Sequence, residues 1–211
     1  MTNLMGKREL NKARKRAEIV DIATRSFFER GYAATSMSAI AEELGGSKAT
    51  LWAHFGSKEE LFAAVIDKEV ESFSQDIDEV LTSQTYSVPA LRRACLRFLE
   101  CLMRENSISL FNLILGEGGR FPEIREMFYS RGPAKIRKCV NDFFATRVPA
   151  DQAEKLARVT LAAISGYRSD ILLRPNKPTS TECEAYIASM VDMITCSIPD
   201  APPPPDDQPA P

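Results

Sequence analysis

Apolar side chains recur along this chain at intervals of three and four residues, the spacing of one face of an α-helix. The longest such stripe steps by four, four, three, four and four positions through Phe62, Ile66, Val70, Phe73, Ile77 and Leu81. Ser57 and Glu60 precede it with the spacing of a capping box. The stripe predicts a helix of about 24 residues, roughly 36 Å long. No run of alternating β-branched residues in the C-terminal part indicates a strand, so the pattern predicts an all-α protein.

Residues 35–55 predict two short helices joined by a tight turn. The first has one apolar face, formed by Met37, Ile40, Ala41 and Leu44. Thr35 or Ser36 would cap its N-terminus, because a side-chain oxygen there accepts a free backbone N–H. Gly45 and Gly46 then end the helix, since glycine adopts positive φ angles without a steric penalty. The arrangement is a helix-turn-helix.

The second short helix, residues 48–55, exposes an unusual set of side chains. Ser47 would cap its start, and Leu51 and Phe55 would face the core because they are four residues apart. The flanks and the outer face then carry Lys48, Ala49, Thr50, Trp52, Ala53 and His54. A helix built in this way is typical of the recognition helix that enters the DNA major groove.

The outward side chains have chemistry that suits DNA. Lys48 can donate to guanine, Thr50 can offer its hydroxyl or methyl group to thymine, and the small Ala49 permits close approach. Trp52 and His54 can donate N–H groups to phosphate oxygens, contacts that orient the helix without reading sequence. The alternative is that they are ordinary surface side chains, the commoner role of a lone histidine. Because His54 is the only histidine, it has no partner for a histidine-based metal site, and we predict no metal or cofactor.

A series of landmarks extends from Arg16 to Phe62. They are Ala23, Phe27 or Phe28, Gly31-Tyr32 and a following threonine, Ile40-Ala41, Ser47 to Leu51, His54-Phe55 and Ser57-Lys58-Glu59. At these positions the chain resembles the DNA-binding domain of the TetR family of bacterial transcriptional repressors. Three positions depart from the family pattern, since Gly46 replaces a hydrophobic residue, Ala49 a glycine and Trp52 a tyrosine. The resemblance implies DNA contacts at Thr35, Ser36, Ser47, Lys48, Ala49, Thr50, Trp52, His54 and Lys58.

Length and charge narrow the class of protein. The chain has 211 residues, 44% of them hydrophobic, which is enough for one or two domains with a substantial core. A net charge of −2 argues against a general binder of polyanions. Residues 1–60 nevertheless carry ten basic and eight acidic side chains, and residues 7–16 carry six basic and one acidic. We predict that residues 1–11 form a basic, flexible arm that reaches a phosphate or the minor groove. A solvated terminus without DNA contact is equally compatible.

Cysteine usage and hydropathy indicate the compartment. The five cysteines are Cys95, Cys101, Cys139, Cys183 and Cys196, scattered and without a C-x-x-C pair, which favours a reduced environment and buried thiols. No stretch approaches the roughly 20 apolar residues required to span a bilayer, and the first nine residues lack a hydrophobic signal core. We therefore expect a cytoplasmic protein without membrane contact.

The chain after the capping box predicts a second domain. A helix from Lys12 to Arg30 completes a DNA-binding domain of three helices at residues 1–57, and residues 58–198 predict a helical bundle for ligand binding and dimerisation. Residues 113–133 contain an acidic residue before Arg-Phe-Pro-Glu and are similar to the ligand-binding domain of the AcrR-type branch of the same family. That resemblance implies a small, mostly apolar effector. Candidate pocket residues are Phe98, Phe111, Asn112, Glu117, Phe143 and Tyr167, although aromatic residues at helical spacing are more often core.

The last two predicted helices, residues 151–173 and 179–197, carry apolar residues on more than one face. Small residues permit close helix crossing at Ala162, Ala163, Ser165 and Gly166. We therefore predict a homodimer that forms through a four-helix interface. In the alternative case, the additional apolar side chains are buried within a monomer. Residues 199–211 are rich in proline and predict a disordered tail.

These patterns together predict a homodimeric, ligand-responsive transcriptional repressor that binds a pseudo-palindromic double-stranded operator. Two other classes stay open. One is a helical enzyme or small-molecule carrier that uses a C-terminal cavity, for which Asp76 and Glu79 are the paired carboxylates to consider. The other is a nucleoid-type binder without sequence preference, which the modest charge disfavours.

Overall fold

The computed structural model describes residues 6–45, 48–81, 86–196 and 198, with the side chains of residues 72–81 excepted. Ten α-helices account for most of them: α1 Lys7–Ala34, α2 Met37–Glu43, α3 Lys48–Trp52, α4 Lys58–Leu81, α5 Val88–Leu102, α6 Glu105–Glu117, α7 Pro122–Arg131, α8 Pro133–Ala145, α9 Ala150–Leu173 and α10 Ser180–Thr195. No strand occurs among the described residues. The prediction of an all-α protein is confirmed. None of the described helices is both long enough and apolar enough to span a membrane.

The chain forms two compact units, called here the first and the second unit. The first comprises Met1–Glu71 and Glu105–Gly132, and the second comprises Ser72–Arg104 and Pro133–Pro211. Helices α6 and α7 thus belong with the helix-turn-helix, although the predicted boundary after residue 57 assigned them to the second domain. The physical reason is their apolar face, which enters the same core as α1 to α4 through Leu110, Leu113, Ile114 and Ile124.

Helix α1 is longer than predicted and contains a break. It begins at Lys7, so residues 7–11 are helical rather than a flexible arm, and residues 1–5 lie outside the described part of the chain. The break is at Gly31, whose φ of 85° and ψ of 167° leave the helical region. Positive φ is strained for any residue with a Cβ atom, which explains why glycine ends the main run of α1.

The helix-turn-helix has the predicted caps in part. Ser36, not Thr35, caps α2, and its side chain accepts the N–H of Ala39 at 3.2 Å. Gly45 turns the chain with a φ of 64°, whereas Gly46 and Ser47 lie outside the described residues. Helix α3 ends at Trp52, earlier than predicted, although the N–H of Phe55 still donates to the carbonyl of Leu51 at 3.0 Å.

Helix α4 begins at a variant of the predicted capping box. The N–H of Glu60 donates to Ser57 Oγ at 3.1 Å, while the Glu60 carboxylate accepts from Gly56 rather than from Ser57, at 2.7 Å. The first three members of the apolar stripe, Phe62, Ile66 and Val70, are buried. The side chains of Phe73, Ile77 and Leu81, and the carboxylates of Asp76 and Glu79, lie outside the described part.

The second unit has its own core, built from α5, α8, α9 and α10. Fully buried members include Leu91, Phe144, Ile164 and Val191. Helix α10 starts with a complete capping box between Thr179 and Glu182. The expectation of buried thiols holds for Cys95 and Cys101, whereas Cys139 and Cys183 are half-buried and Cys196 is exposed. Residues 199–211, predicted to be disordered, lie outside the described residues.

Candidate nucleic-acid interface

Two buried side chains, Leu51 and Phe55, determine which face of the recognition segment points to solvent. Leu51 and Phe55 are 0% and 1% exposed, so the helix packs on the core through the side chains that their spacing predicts. The opposite face is open to solvent, because Lys48, Ala49 and Ala53 are exposed. A short helix that packs on the core through one face and exposes the other has the geometry of a recognition helix.

Trp52 and the half-buried Thr50 and His54 complete this surface. Trp52 leaves 51% of its surface in contact with solvent. An indole has a donor N–H and a broad apolar body, so in this position it can serve a phosphate and a sugar at once. We call the exposed face of Lys48, Ala49, Thr50, Trp52 and His54 the reading face.

Thr35 does not belong to a DNA-contacting surface. The residue is only 2% exposed, and its hydroxyl lies 2.8 Å from the carbonyl oxygen of Gly31 and 3.0 Å from that of Ser26. This hydroxyl therefore joins the residue after α1 to the helix at and before the break instead of reaching solvent. Its neighbour Ser36 is exposed at the start of α2, where a phosphate can approach, and Ser47 lies outside the described residues.

The side chain of Lys58 lies over the ring of Tyr32. Its Nζ atom lies 4.2 Å from the centroid of the Tyr32 ring, a cation–π contact, and the residue is half-buried. Burial lowers the pKa of Lys58, and the nearby carboxylates of Glu59 and Glu117 oppose that effect. The predicted role of Lys58 as a phosphate contact stays a prediction, and it requires the side chain to leave the tyrosine ring.

Tyr32 lies at the centre of an aromatic cluster. In the sequence, this tyrosine is visible only as part of the Gly-Tyr landmark. Its ring contacts the rings of Phe62 and Phe121 edge-on, at centroid distances of 5.0 and 5.2 Å. The hydroxyl donates to Glu59 Oε1 at 3.2 Å. Burial raises the pKa of Tyr32, and the negative charge of Glu59 raises it further, so the hydroxyl stays protonated at neutral pH.

Basic side chains extend the positive surface along the first turns of α1. Lys7, Arg8, Lys12 and Arg14 are exposed. Arg16 stacks on the end of the recognition segment, with its guanidinium carbon 4.8 Å from the centroid of the Phe55 ring. Periodicity alone did not single out this contact, although six basic residues within residues 7–16 indicated where positive charge would gather.

The six candidate effector residues divide between the two units. Three of them, Phe111, Asn112 and Glu117, lie on α6 in the first unit, where Asn112 is exposed and Phe111 half-buried. The Glu117 carboxylate accepts the backbone N–H groups of Tyr32 and Ala33. The sequence placed Glu117 among the effector contacts, whereas in the structure its side chain binds backbone amides.

The other three candidates belong to the second unit. Phe98 lines an apolar cavity of about 20 Å³ between α5, α8 and α9, whose remaining walls are Leu91, Ala94, Cys95, Ile136, Val140, Thr160, Leu161 and Ile164. Phe143 packs against the ring of Tyr86 at 5.3 Å. Tyr167 stacks on Tyr186 with ring centroids 3.7 Å apart. Of the three, Phe98 lies on the cavity wall.

A second, open groove of about 490 Å³ runs along α9 and α10. Its walls are Gln152, Lys155, Leu156, Val159, Ala163, Tyr186, Ser189, Met190, Met193 and Ile194. Val159 and Met193 are 54% and 71% exposed, which is unusual for large apolar side chains. These are the two helices on which the sequence predicted a dimer interface.

The short helix pair and its exposed second helix define a helix-turn-helix DNA-binding protein. Residues 19–65 match the family model described as bacterial regulatory proteins of the tetR family, and residues 89–197 match the C-terminal domain of AefR-like transcriptional repressors. The chain belongs to the TetR family of bacterial transcriptional regulators.

Individual relatives differ in how much of the chain they match. The regulator BetI of Rhizobium meliloti is 28% identical over 190 residues, which cover 87% of this chain and 89% of BetI. The activator FasR of Mycolicibacterium smegmatis is 32% identical over 92 residues, which cover 44% of this chain and only 42% of FasR. A solved structure titled flavonoid-responsive regulator FrrA is 30% identical, with a TM-score of 0.76 over 90% of this chain and 100% of FrrA.

Proposed function

We propose that this protein represses transcription by binding a pseudo-palindromic DNA operator as a homodimer, and that a small apolar effector releases it. The reading face supports this function, because it faces solvent while Leu51 and Phe55 on the other side of the helix are buried. Its site of action would be the cytoplasm, where the DNA of a bacterium lies.

Sequence would be read by the first turn of α3. Lys48 and Thr50 are the two members of the reading face whose side chains can discriminate between base edges. Trp52, His54 and the basic turns of α1 would contact phosphates, and Ser36 would do so from the start of α2. Two recognition helices related by a twofold axis require half-sites about one helical turn apart, roughly 34 Å.

The proposed dimer interface is the groove face of α9 and α10. Val159, Ala162 and Gly166 lie three and four residues apart on α9 and are all exposed, so they form one stripe with little side-chain bulk. A partner helix can therefore approach closely and cover the apolar surface of Val159 and Met193.

The proposed effector is mostly apolar and enters the cavity of the second unit. That cavity is lined by aliphatic and aromatic side chains, and the hydroxyl of Thr160 is already bound to the carbonyl of Leu156 at 2.8 Å. Its volume of about 20 Å³ holds roughly one water, whereas sites for organic ligands measure about 300 Å³ or more. Effector binding would therefore separate α5, α8 and α9, and this expansion is what would bias the protein against DNA.

A planar aromatic compound is the first effector class to test, because the similar FrrA is named as responsive to flavonoids. Displacement of bound DNA by such a compound would support this class. We further propose that the effector leaves chemically unchanged. Mass spectrometry of the recovered compound after prolonged incubation checks this point, and turnover would favour the enzyme alternative instead.

Selection from a random duplex library tests the proposed function. At about 150 mM salt, purely electrostatic binding is weakened, so retained duplexes report base recognition. We expect a motif with two inverted half-sites, bound by two chains. Enrichment of no motif would contradict sequence-specific regulation, and enrichment of a single half-site bound by one chain would contradict the dimer.

A further inference from the structure

The carboxylate of Glu117, the last residue of α6, binds two consecutive backbone amides of α1. Its Oε1 atom accepts the N–H of Tyr32 and its Oε2 atom accepts the N–H of Ala33, each at 2.7 Å. More than 80 residues of chain separate Glu117 from these two amides, and all three partner residues belong to the first unit. This is a two-point, charge-assisted contact of the kind that fixes orientation as well as distance.

The amides are available because α1 is broken at Gly31. With a φ of 85° and a ψ of 167°, this residue interrupts the helical hydrogen-bond ladder, and the next two N–H groups form a small anion-binding nest. A Cβ atom at Gly31 would lie 2.3 Å from Glu117 Oε1. The absence of a side chain at this position is therefore a condition for the carboxylate to reach the amides.

The backbone of Glu117 also organises the next turn. Its carbonyl accepts the N–H groups of Arg120 and Phe121, each at 2.9 Å, and so joins the end of α6 to the start of α7. Phe121 in turn packs its ring against Tyr32. The segment that the sequence associated with ligand binding is thus joined to the helix-turn-helix by polar contacts at Glu117, in addition to the apolar packing of α6 and α7 on the shared core.

The path of the chain gives this attachment a consequence. Helices α6 and α7 belong to the first unit, but the chain enters them from the second unit at Arg104 and returns to it at Pro133. The carboxylate of Glu117 therefore joins α1 to a segment that continues at both ends into the second unit.

We propose that Glu117 is a positioning residue for DNA binding: its carboxylate holds the α1 break and thereby fixes the helix-turn-helix on α6 and α7 in the orientation that binds the operator. We call this contact the amide clamp. The inference rests on the proposed function for its DNA readout, whereas the clamp itself can be tested without DNA.

Amide hydrogen exchange in the full-length protein tests the clamp directly. In the wild type, the Tyr32 and Ala33 amides should exchange more slowly than those of Met37 and Ser38, which occupy the first turn of α2 and have no acceptor within that helix. This comparison requires no variant, so it stands even if a substitution prevents folding. Equal, rapid exchange at all four amides would overturn the clamp.

Glu117→Gln keeps the size of the side chain and removes its charge. We expect exchange at Tyr32 and Ala33 to accelerate by about 10- to 100-fold, the factor for losing hydrogen bonds to a charged acceptor, while buried amides of α4 stay unchanged. The exposed Glu126 on α7 provides the matched control, and Glu126→Gln should exchange as the wild type does. Unchanged exchange at the two amides, or uniform acceleration throughout the first unit, would contradict a positioning role.

The affinity of the variants for the selected duplex tests whether the clamp affects DNA binding. Glu117→Gln should weaken binding by about 5- to 50-fold, within the range of ordinary allosteric coupling. Gly31→Ala should displace the carboxylate by itself, so the double variant should bind no more weakly than Gly31→Ala alone. Independent, multiplying losses would overturn the clamp. Failure to select any duplex would overturn the proposed function and leave the exchange result to decide the contact.

Discussion

The guanidinium of Arg16 lies 4.8 Å from the centre of the Phe55 ring, which joins the basic turns of α1 to the segment that follows the recognition helix. Phe55 is 1% exposed, so the ring offers Arg16 a fixed platform, whereas Arg16 itself is exposed. A cation–π contact at such a site is worth about 0.5–1 kcal/mol. It holds one positive charge on the segment that follows the recognition helix.

Arg16→Ala should therefore weaken DNA binding without changing the preferred sequence. Removal of one phosphate contact is expected to reduce the slope of log affinity against log salt by about 1. Affinity measured between 50 and 200 mM salt on the selected duplex and on an unrelated one checks this result. A loss confined to the selected duplex would contradict the assignment of Arg16 to the phosphates.

Thr35 should behave as a structural residue. Thr35→Val keeps the shape of the side chain and removes the hydroxyl that donates to the carbonyls of Gly31 and Ser26, so a buried hydrogen bond is lost. We expect the free energy of unfolding to fall by about 1–3 kcal/mol, and Thr35→Ser to retain much of that stability. Chemical denaturation of the three proteins checks the prediction. An altered base preference at full stability would instead assign Thr35 to the DNA interface.

The groove face of α9 and α10 should control the oligomeric state. Val159→Glu combined with Met193→Glu places two charges on apolar surface that a partner would bury, so we expect monomers and weak operator binding. Leu115→Glu is the control, because Leu115 on α6 is 67% exposed and lies outside the proposed interface. Sedimentation of each variant gives the result, and an intact dimer of the double variant would contradict the interface.

Local periodicity is sufficient to predict which side chains of α3 face away from the core. Leu51 and Phe55 are four residues apart on one short helix, so the direction of Lys48 and Trp52 follows from helix geometry alone. The all-α fold follows for the same reason, because stripes with helical spacing recur along the chain.

Long-range pairing could not be read from the sequence. The contact between Glu117 and the amides of Tyr32 and Ala33 depends on the packing of α6, which leaves no periodic signal, although the helix predicted to end at Arg30 agrees with the break at Gly31. The inward turn of Thr35 and the seating of Lys58 on the Tyr32 ring are equally tertiary. The Gly-Tyr pair and the acidic residue before Arg-Phe-Pro-Glu were visible as separate landmarks, but nothing in either showed that they meet.

We propose that the reading face distinguishes bases, and a comparison of Thr50→Ala with Trp52→Ala tests this most directly. Both proteins are titrated against the selected duplex and against duplexes with one base pair changed in each half-site. Thr50→Ala should lose about 1–3 kcal/mol of discrimination at one position, whereas Trp52→Ala should weaken every duplex alike. Unchanged discrimination by Thr50→Ala and by Lys48→Ala would contradict the assignment of α3 as the recognition helix.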